Sequence, residues 1–269
     1  MLNGVPIIYD MDASLAAFYD HTQTEARDVA LIRRLLAERG PLRILEACCG
    51  TGRILIPLAQ DGHEIVGIDC SQTMLDRARA TLAKLPEAVR QRVRLMQADV
   101  TSGPWPGGFD VVLLAGNCLY EMATPAEQEA CVRFAAAALK PAGHLLLDND
   151  HMEGELDESW CRVGAVEKAY PTGVCPDGTK VEGTSQCLWF DRPRRLARSR
   201  RQVTVRFPDG SELSRQWEQQ KHPPSVLEMK SWLDAAGLVV EQFYGDHKPT
   251  PYTDASSRAI FWAMKPSSS

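Results

Sequence analysis

Glu46, Gly50, Gly52 and Asp69 have the residue types and spacing of a nucleoside site, within the stretch R-I-L-E-A-C-C-G-T-G-R that continues to G-I-D-C. Two glycines one residue apart let the backbone turn sharply and approach a ligand closely, because no Cβ intervenes. An acid about 20 residues beyond such a turn can accept hydrogen bonds from both ribose hydroxyls. The missing residues are as informative. The third glycine of a dinucleotide site is replaced by Leu55, and no Lys-Ser/Thr pair follows the turn as in a P-loop. Glu46, just ahead of the turn, is an anion badly placed against a pyrophosphate and well placed against a cation.

A ligand with adenosine, no phosphates, a sulfonium and an ammonium meets all of these conditions, which points to S-adenosylmethionine (SAM). The surrounding pattern supplies elements to carry it. Ile44-Leu45 enters the turn, a helix-like segment spans Arg53 to Gln60, and the apolar run Glu64 to Ile68 ends on Asp69. Ser71 or Thr73 caps a helix expected to reach Leu85, and a short strand over Val93 to Gln97 ends at Ala98-Asp99-Val100. Phe109 to Leu114 reads as a buried parallel strand. It opens into Ala115-Gly116-Asn117-Cys118-Leu119-Tyr120-Glu121. Ligands of doubly wound sheets bind beyond the carboxyl ends of the strands, so this loop faces the group to be transferred. A helix over Pro125 to Leu139, a turn at Lys140 to Gly143 and a strand over His144 to Asp148 follow.

The 269 residues allow one α/β domain with an insertion. A net charge of −5 does not suggest a general nucleic-acid binder. No apolar run approaches the ~18 residues of a membrane span. Met1 to Asp10 shows no signal peptide, and the eight cysteines include no C-x-x-C, so a reduced cytoplasmic protein without a metal site is expected. Four regions are expected: an N-terminal helical lid over 1–40, the core over 41–150, an antiparallel cap over 151–222, and finishing elements over 223–269. Helical spacing runs from Ala26 to Leu36, with Asp12 or Ser14 as an earlier cap. Pro171 to Gly183 reads as turns. Ser185 to Phe190, Arg198 to Phe207 and Glu212 to Gln219 read as a meander bearing Arg192, Arg194, Arg195, Arg198, Arg200 and Arg201, more a solvated face than a phosphate site. Ser225 to Ala236 is a helix, and Leu238 to Phe243 and Ala259 to Met264 are strands.

The central unit resembles the first two motifs of the class I SAM-dependent methyltransferases, E/D-x-x-x-G-x-G and an acid ending the second strand. Ala98-Asp99-Val100 is similar to the third motif, and Leu139-Lys140-Pro141-Ala142-Gly143 to L-K/R-P-G-G. The resemblance implies a doubly wound, Rossmann-like seven-stranded sheet and methyl transfer from SAM, leaving S-adenosylhomocysteine. It also implies a cofactor-binding set of Glu46, Ala47, Cys48, Gly50, Gly52, Asp69, Cys70, Met74, Asp99, Val100 and Ala115. Family members fold an N-terminal segment over SAM, which makes Tyr9 and Tyr19 lid candidates, Tyr19 with a place in the catalytic set.

Within that family the chain looks like the glycine and sarcosine N-methyltransferases. Gly116-Asn117-Cys118-Leu119 stands where they carry G-N-S-F, and Gly245-Asp246-His247-Lys248-Pro249-Thr250 where they carry G-D-F-K-P-Y. The resemblance implies that Asn117 lies at a small-molecule acceptor pocket, with Tyr120, Asp150 and His151 as further substrate candidates. His151 and His247 are the candidate bases. The glycine enzymes place an arginine where this chain has Asp150, so the acidic loop with Asp148, Glu153 and Glu155 is expected to disfavour a carboxylate and favour an amine. The rival readings are an O-methyltransferase of a natural product with a histidine base, and a protein or RNA methyltransferase using the arginine cluster. A homo-oligomer is left open.

Overall fold

The computed structural model describes residues 8–151, 156 and 158–267. Glu153 and Glu155, assigned above to an acidic loop, lie outside the described residues. In chain order the helices are α1 (Ala13–Thr22), α2 (Arg27–Leu36), α3 (Leu55–Gln60), α4 (Gln72–Leu82), α5 (Glu87–Arg90), α6 (Pro125–Ala138), α7 (Glu158–Cys161) and α8 (Val226–Ala235). The strands are β1 (Arg43–Ala47), β2 (Glu64–Asp69), β3 (Val93–Gln97), β4 (Phe109–Leu114), β5 (Leu139–Asp150), β6 (Val166–Val174), β7 (Lys180–Asp191), β8 (Leu196–Arg206), β9 (Glu212–Lys221), β10 (Val239–Tyr244) and β11 (Arg258–Met264). They fall into two compact units, one drawn from residues 1–24 and 154–223, the other from 25–153 and 224–269.

The larger unit is the expected seven-stranded sheet, in the order β10-β11-β5-β4-β1-β2-β3. Strands β1 to β5 pair in parallel, and β11 runs antiparallel to both neighbours. Alternation decides which helices each face receives. Leu45, Val112, Leu145 and Leu147 pack with α6 and α8, whereas Ile44, Val111, Leu113 and Leu146 pack with α2 and α3. The order of the strands reverses between β1 and β4, and a ligand crevice forms where the connections part at such a point.

Four local expectations change. Helix α4 ends at Leu82, short of the expected Leu85. Helix α3 begins at Leu55 rather than Arg53, because left-handed Gly50 and Gly52 prolong the turn. Lys140 to Gly143 lies within β5, where a register shift between Phe109 and Val111 lets it bulge out of the pairing with β4. Strand β6 replaces part of the expected turn region, since a second register shift between Ala169 and Gly173 absorbs Pro171 into the sheet.

The smaller unit is an antiparallel sheet in the order β6-β7-β8-β9. Leu15 and Phe18 of α1 pack on Val181, Val203, Val205 and Trp217. Asp12 caps α1 by accepting from the Ser14 N–H. The expected arginine face is charge-paired: Arg198 and Arg200 reach Glu218 at 3.0 and 3.1 Å, and Arg206 reaches Glu182 and Glu212. Among the described residues no helix is long and apolar enough to cross a membrane.

Gly67 in β2 matters most for the site, because it lets the glycine turn lie on the strand. A Cβ there would stand 2.7 Å from Cys49 Sγ and 2.8 Å from Leu55 Cδ2. Gly67→Ala is therefore expected to destabilise the protein by about 1–3 kcal/mol, the range for overpacking. The check is thermal unfolding of the variant against wild type, where an unchanged Tm would contradict the packing argument.

Candidate active site

The turn after β1 uses three left-handed residues in quick succession: Cys48 at φ 56°, Gly50 at 55° and Gly52 at 87°. Its closure depends on Asp69 at the end of β2. One carboxylate oxygen accepts from the Gly50 N–H at 2.8 Å, the other from the Ser71 N–H at 2.8 Å. Ser71 then caps α4 by accepting from the Met74 N–H, and Met74 itself is buried. Asp99, after β3, accepts from the N–H and hydroxyl of Thr101. Burial raises the Cys70 thiol above its ordinary range, and the nearby charges of Asp69 and Asp99 add to the shift. Both acids thus lie within electrostatic reach of Cys70. Ala47, Val100 and Ala115 are buried at the neighbouring strand ends.

Glu46 lies on the α2 and α3 face of β1, alternating with Leu45. It is 4% exposed, and its Oε2 has no hydrogen-bond partner. Burial pushes its carboxyl well above the glutamate range, with Asp28 and Asp69 adding to the shift and Arg53 opposing it. Arg53 makes a two-pronged contact with Asp28 of α2, Nη1 to Oδ1 at 2.8 Å and Nη2 to Oδ2 at 2.5 Å. Its Nη1 also donates to the Glu25 carbonyl. Burial works to raise the Asp28 carboxyl, but Arg53 and the Val29 N–H outweigh it and hold it low. Sequence reasoning missed this clamp; its signal was an arginine directly after the second glycine. A buried carboxylate oxygen without a donor, beside a turn stripped of side chains, fits the ammonium end of SAM.

On the far side of the strand-order reversal, five side chains form one network. Arg258, the first residue of β11, donates from Nε to Asp148 at 2.6 Å, from Nη1 to Asp150 at 2.5 Å and from Nη2 to Asn117 at 3.0 Å. Asn117, left-handed at φ 65°, donates to Asp150 at 2.9 Å and accepts from the Asp150 N–H at 2.8 Å. His247 meets the other oxygen of Asp148 at 2.9 Å. This corrects the picture of Asp150 as an open repulsive charge, since Arg258 and Asn117 both engage it. Arg258 was missed because its partners are more than a hundred residues away in sequence.

Tyr120 and His151 adjoin that network, Tyr120 donating its N–H to the Asn117 carbonyl at 2.8 Å. His151 faces the Tyr252 hydroxyl at 2.9 Å. Tyr120 is half-buried in the short 3-10 turn Cys118–Glu121. Tyr19 belongs to the smaller unit, where its ring meets Tyr9 edge-on at 5.5 Å. Among the described residues no group of histidine, cysteine or acidic side chains could hold a metal.

Residues 44–143 match the model of a methyltransferase domain. A Geobacillus sp. (strain WCH70) protein assigned as a methyltransferase is 25% identical, the match covering 94% of this chain and 98% of that one. The glycine/sarcosine N-methyltransferase of Halorhodospira halochloris is 28% identical over 151 residues, 54% of this chain and 52% of that enzyme. The solved structure of SAM-bound CalS10, an amino pentose methyltransferase from Micromonospora echinaspora, superposes with a TM-score of 0.62 at 22% identity, covering 97% of this chain and 98% of that one. At that identity the superposition speaks for the fold alone.

Two substitutions separate the roles of the acids. Asp69→Ala is expected to weaken SAM binding by about 1.5–3 kcal/mol, the scale of hydrogen bonds to a charged group. Glu46→Gln removes a charge whose folded pKa is raised, so the cost of burying it is present above that pKa and fades as pH falls toward the ordinary glutamate range. The variant should thus gain Tm at neutral pH while losing SAM affinity in calorimetry. Unchanged affinity would take Glu46 out of the site. Sheet order, glycine turn and matched domain together agree with the expected SAM-dependent methyltransferase, the chain carrying a methyltransferase domain over residues 44–143.

Proposed function

We propose that this enzyme methylates a nitrogen atom of a small-molecule amine. The observation that carries the reading is a charge balance. Asp148 and Asp150 share the guanidinium of Arg258, two carboxylates against one cation, which leaves an excess of negative charge. A cationic amine is drawn to that charge, and a carboxylate is turned away. The inference keeps the sign expected from Asp150 and reduces its size, because most of the charge is compensated. The glycine/sarcosine N-methyltransferase of Halorhodospira halochloris, similar over about half of this chain, supports nitrogen as the acceptor atom.

SAM supplies an electrophilic methyl group on a sulfonium. The protein's part is positioning, since in-line displacement gains most from reactants held at near-attack distance. Asp69 and the glycine turn anchor the nucleoside, and Glu46 takes the ammonium. The Asp148–Asp150–Arg258–Asn117 network orients the acceptor beyond the ends of β4 and β5. Arg258 has its Nε, Nη1 and Nη2 committed to that network, so it does not act as a carboxylate clamp of the kind glycine would need.

The test is a screen with methyl-labelled SAM over amino sugars, simple amines, glycine and sarcosine. Amines are expected to be methylated in preference to the two amino acids, and efficient methylation of glycine would sink the charge argument. Asp150→Asn should lower kcat/KM for a cationic amine by about tenfold, or ~1.4 kcal/mol, with SAM affinity unchanged.

A further inference from the structure

We infer that His247 is the base that takes the acceptor's proton, through Nδ1, with Asp148 and Arg258 as the residues that position it. The inference rests on amine methylation as the reaction and adds how the amine is made nucleophilic. An ammonium has no lone pair to offer a methyl group, so a proton must leave before the carbon–nitrogen bond can form.

The tautomer follows from the hydrogen bonds. Asp148 is 2% exposed and accepts from Arg258 Nε at Oδ1. An ionised carboxylate can only accept, so the 2.9 Å contact at Oδ2 requires a hydrogen on His247 Nε2. A neutral imidazole carries one N–H, which leaves the lone pair at Nδ1. The His247 side chain is 18% exposed, against 1% for that of Asp148, so the imidazole is the member of the pair nearer solvent. Two other histidines are placed differently. His151 meets a phenol, and His144 meets the half-exposed Glu241 while stacking on Trp262.

The loop bearing His247 is braced. Asp246 accepts from the N–H groups of Lys248 and Thr250, and the Gly245 carbonyl accepts from the Arg258 N–H. The charged groups around the imidazole are Asp148 of β5, Arg258 of β11, Asp150 at the end of β5, and Asp28 of α2, with Asp246 and Lys248 on its own loop. Asp28 lies within electrostatic reach of His247, and Glu46 within reach of Asp28. Asp148 lies near the carboxyl end of β5, so the imidazole stands at the strand-end edge of the sheet, where ligands of doubly wound folds bind.

The step balances. The acceptor's proton passes to Nδ1, and Asp148 stabilises the imidazolium. The nitrogen lone pair forms the N–CH3 bond while the carbon–sulfur pair stays on sulfur. The imidazolium then releases its proton to water.

Two measurements test the proposal. Nitrogen NMR of ¹⁵N-histidine-labelled enzyme should find His247 as the Nε2–H tautomer, and Asp148→Asn should shift that population. A Nδ1–H tautomer in the wild type would overturn the assignment whatever the acceptor. With an amino sugar or simple amine taken as substrate in the labelled-SAM screen, His247→Gln should lower kcat by about 10²–10⁴-fold. It should also leave an acid limb set by the acceptor amine's own ionisation alone, with SAM affinity within about threefold of wild type. Wild-type turnover and an unaltered pH profile in His247→Gln would also overturn it. If only hydroxyl acceptors are methylated, the amine reading fails, and the base assignment stands or falls by the same variant on those acceptors.

Discussion

Three strands of the sheet carry a buried acid at or near the carboxyl end: Glu46 in β1, Asp69 in β2 and Asp148 in β5. Removing a carboxylate from water is costly unless donors replace the water, and the site is organised around how each acid meets that requirement. Asp69 is satisfied by backbone N–H groups, which ties the glycine turn and the start of α4 to one side chain. Asp148 is satisfied by a guanidinium and an imidazole, which tie β11 and the loop after β10 to β5. Glu46 has only the Leu55 N–H and the field of Arg53, so it keeps the largest unmet demand of the three. A cation entering beside the turn relieves the one acid that the fold leaves short.

This hierarchy explains what could be read from the sequence. The glycine turn, Asp69 and the sheet were legible because they depend on short-range patterns: alternation in β1 and β4, two glycines, and an acid one strand later. Strand β4 and helix α6 appear almost where the apolar run Phe109 to Leu114 and the segment from Pro125 place them. The arginine face was legible as solvated because its acids occupy register positions on neighbouring strands. Arg258 and Arg53 were not legible in the same way. Each is one arginine among many until the fold brings Asp148 or Asp28 against it. Charge estimated from a local run of acids therefore overstated the field at Asp150.

The loops themselves follow one short-range device. Asp69 accepts from the N–H two residues on, as do Asp99 and Asp246, closing a small turn from its own side chain. Asp12 does the same at the start of α1, and Asp177 and Asp209 in the smaller sheet. Such turns close without distant partners, so the loops after β2, β3 and β10 are closed locally, while the turn after β1 leans on Asp69 and the loop after β4 on Asp150. Methyl transfer depends on distances of a few tenths of an ångström between fixed groups. Locally closed loops on parallel strands, cross-linked through Asp69, Asn117 and Arg258, have the positional order that such chemistry needs.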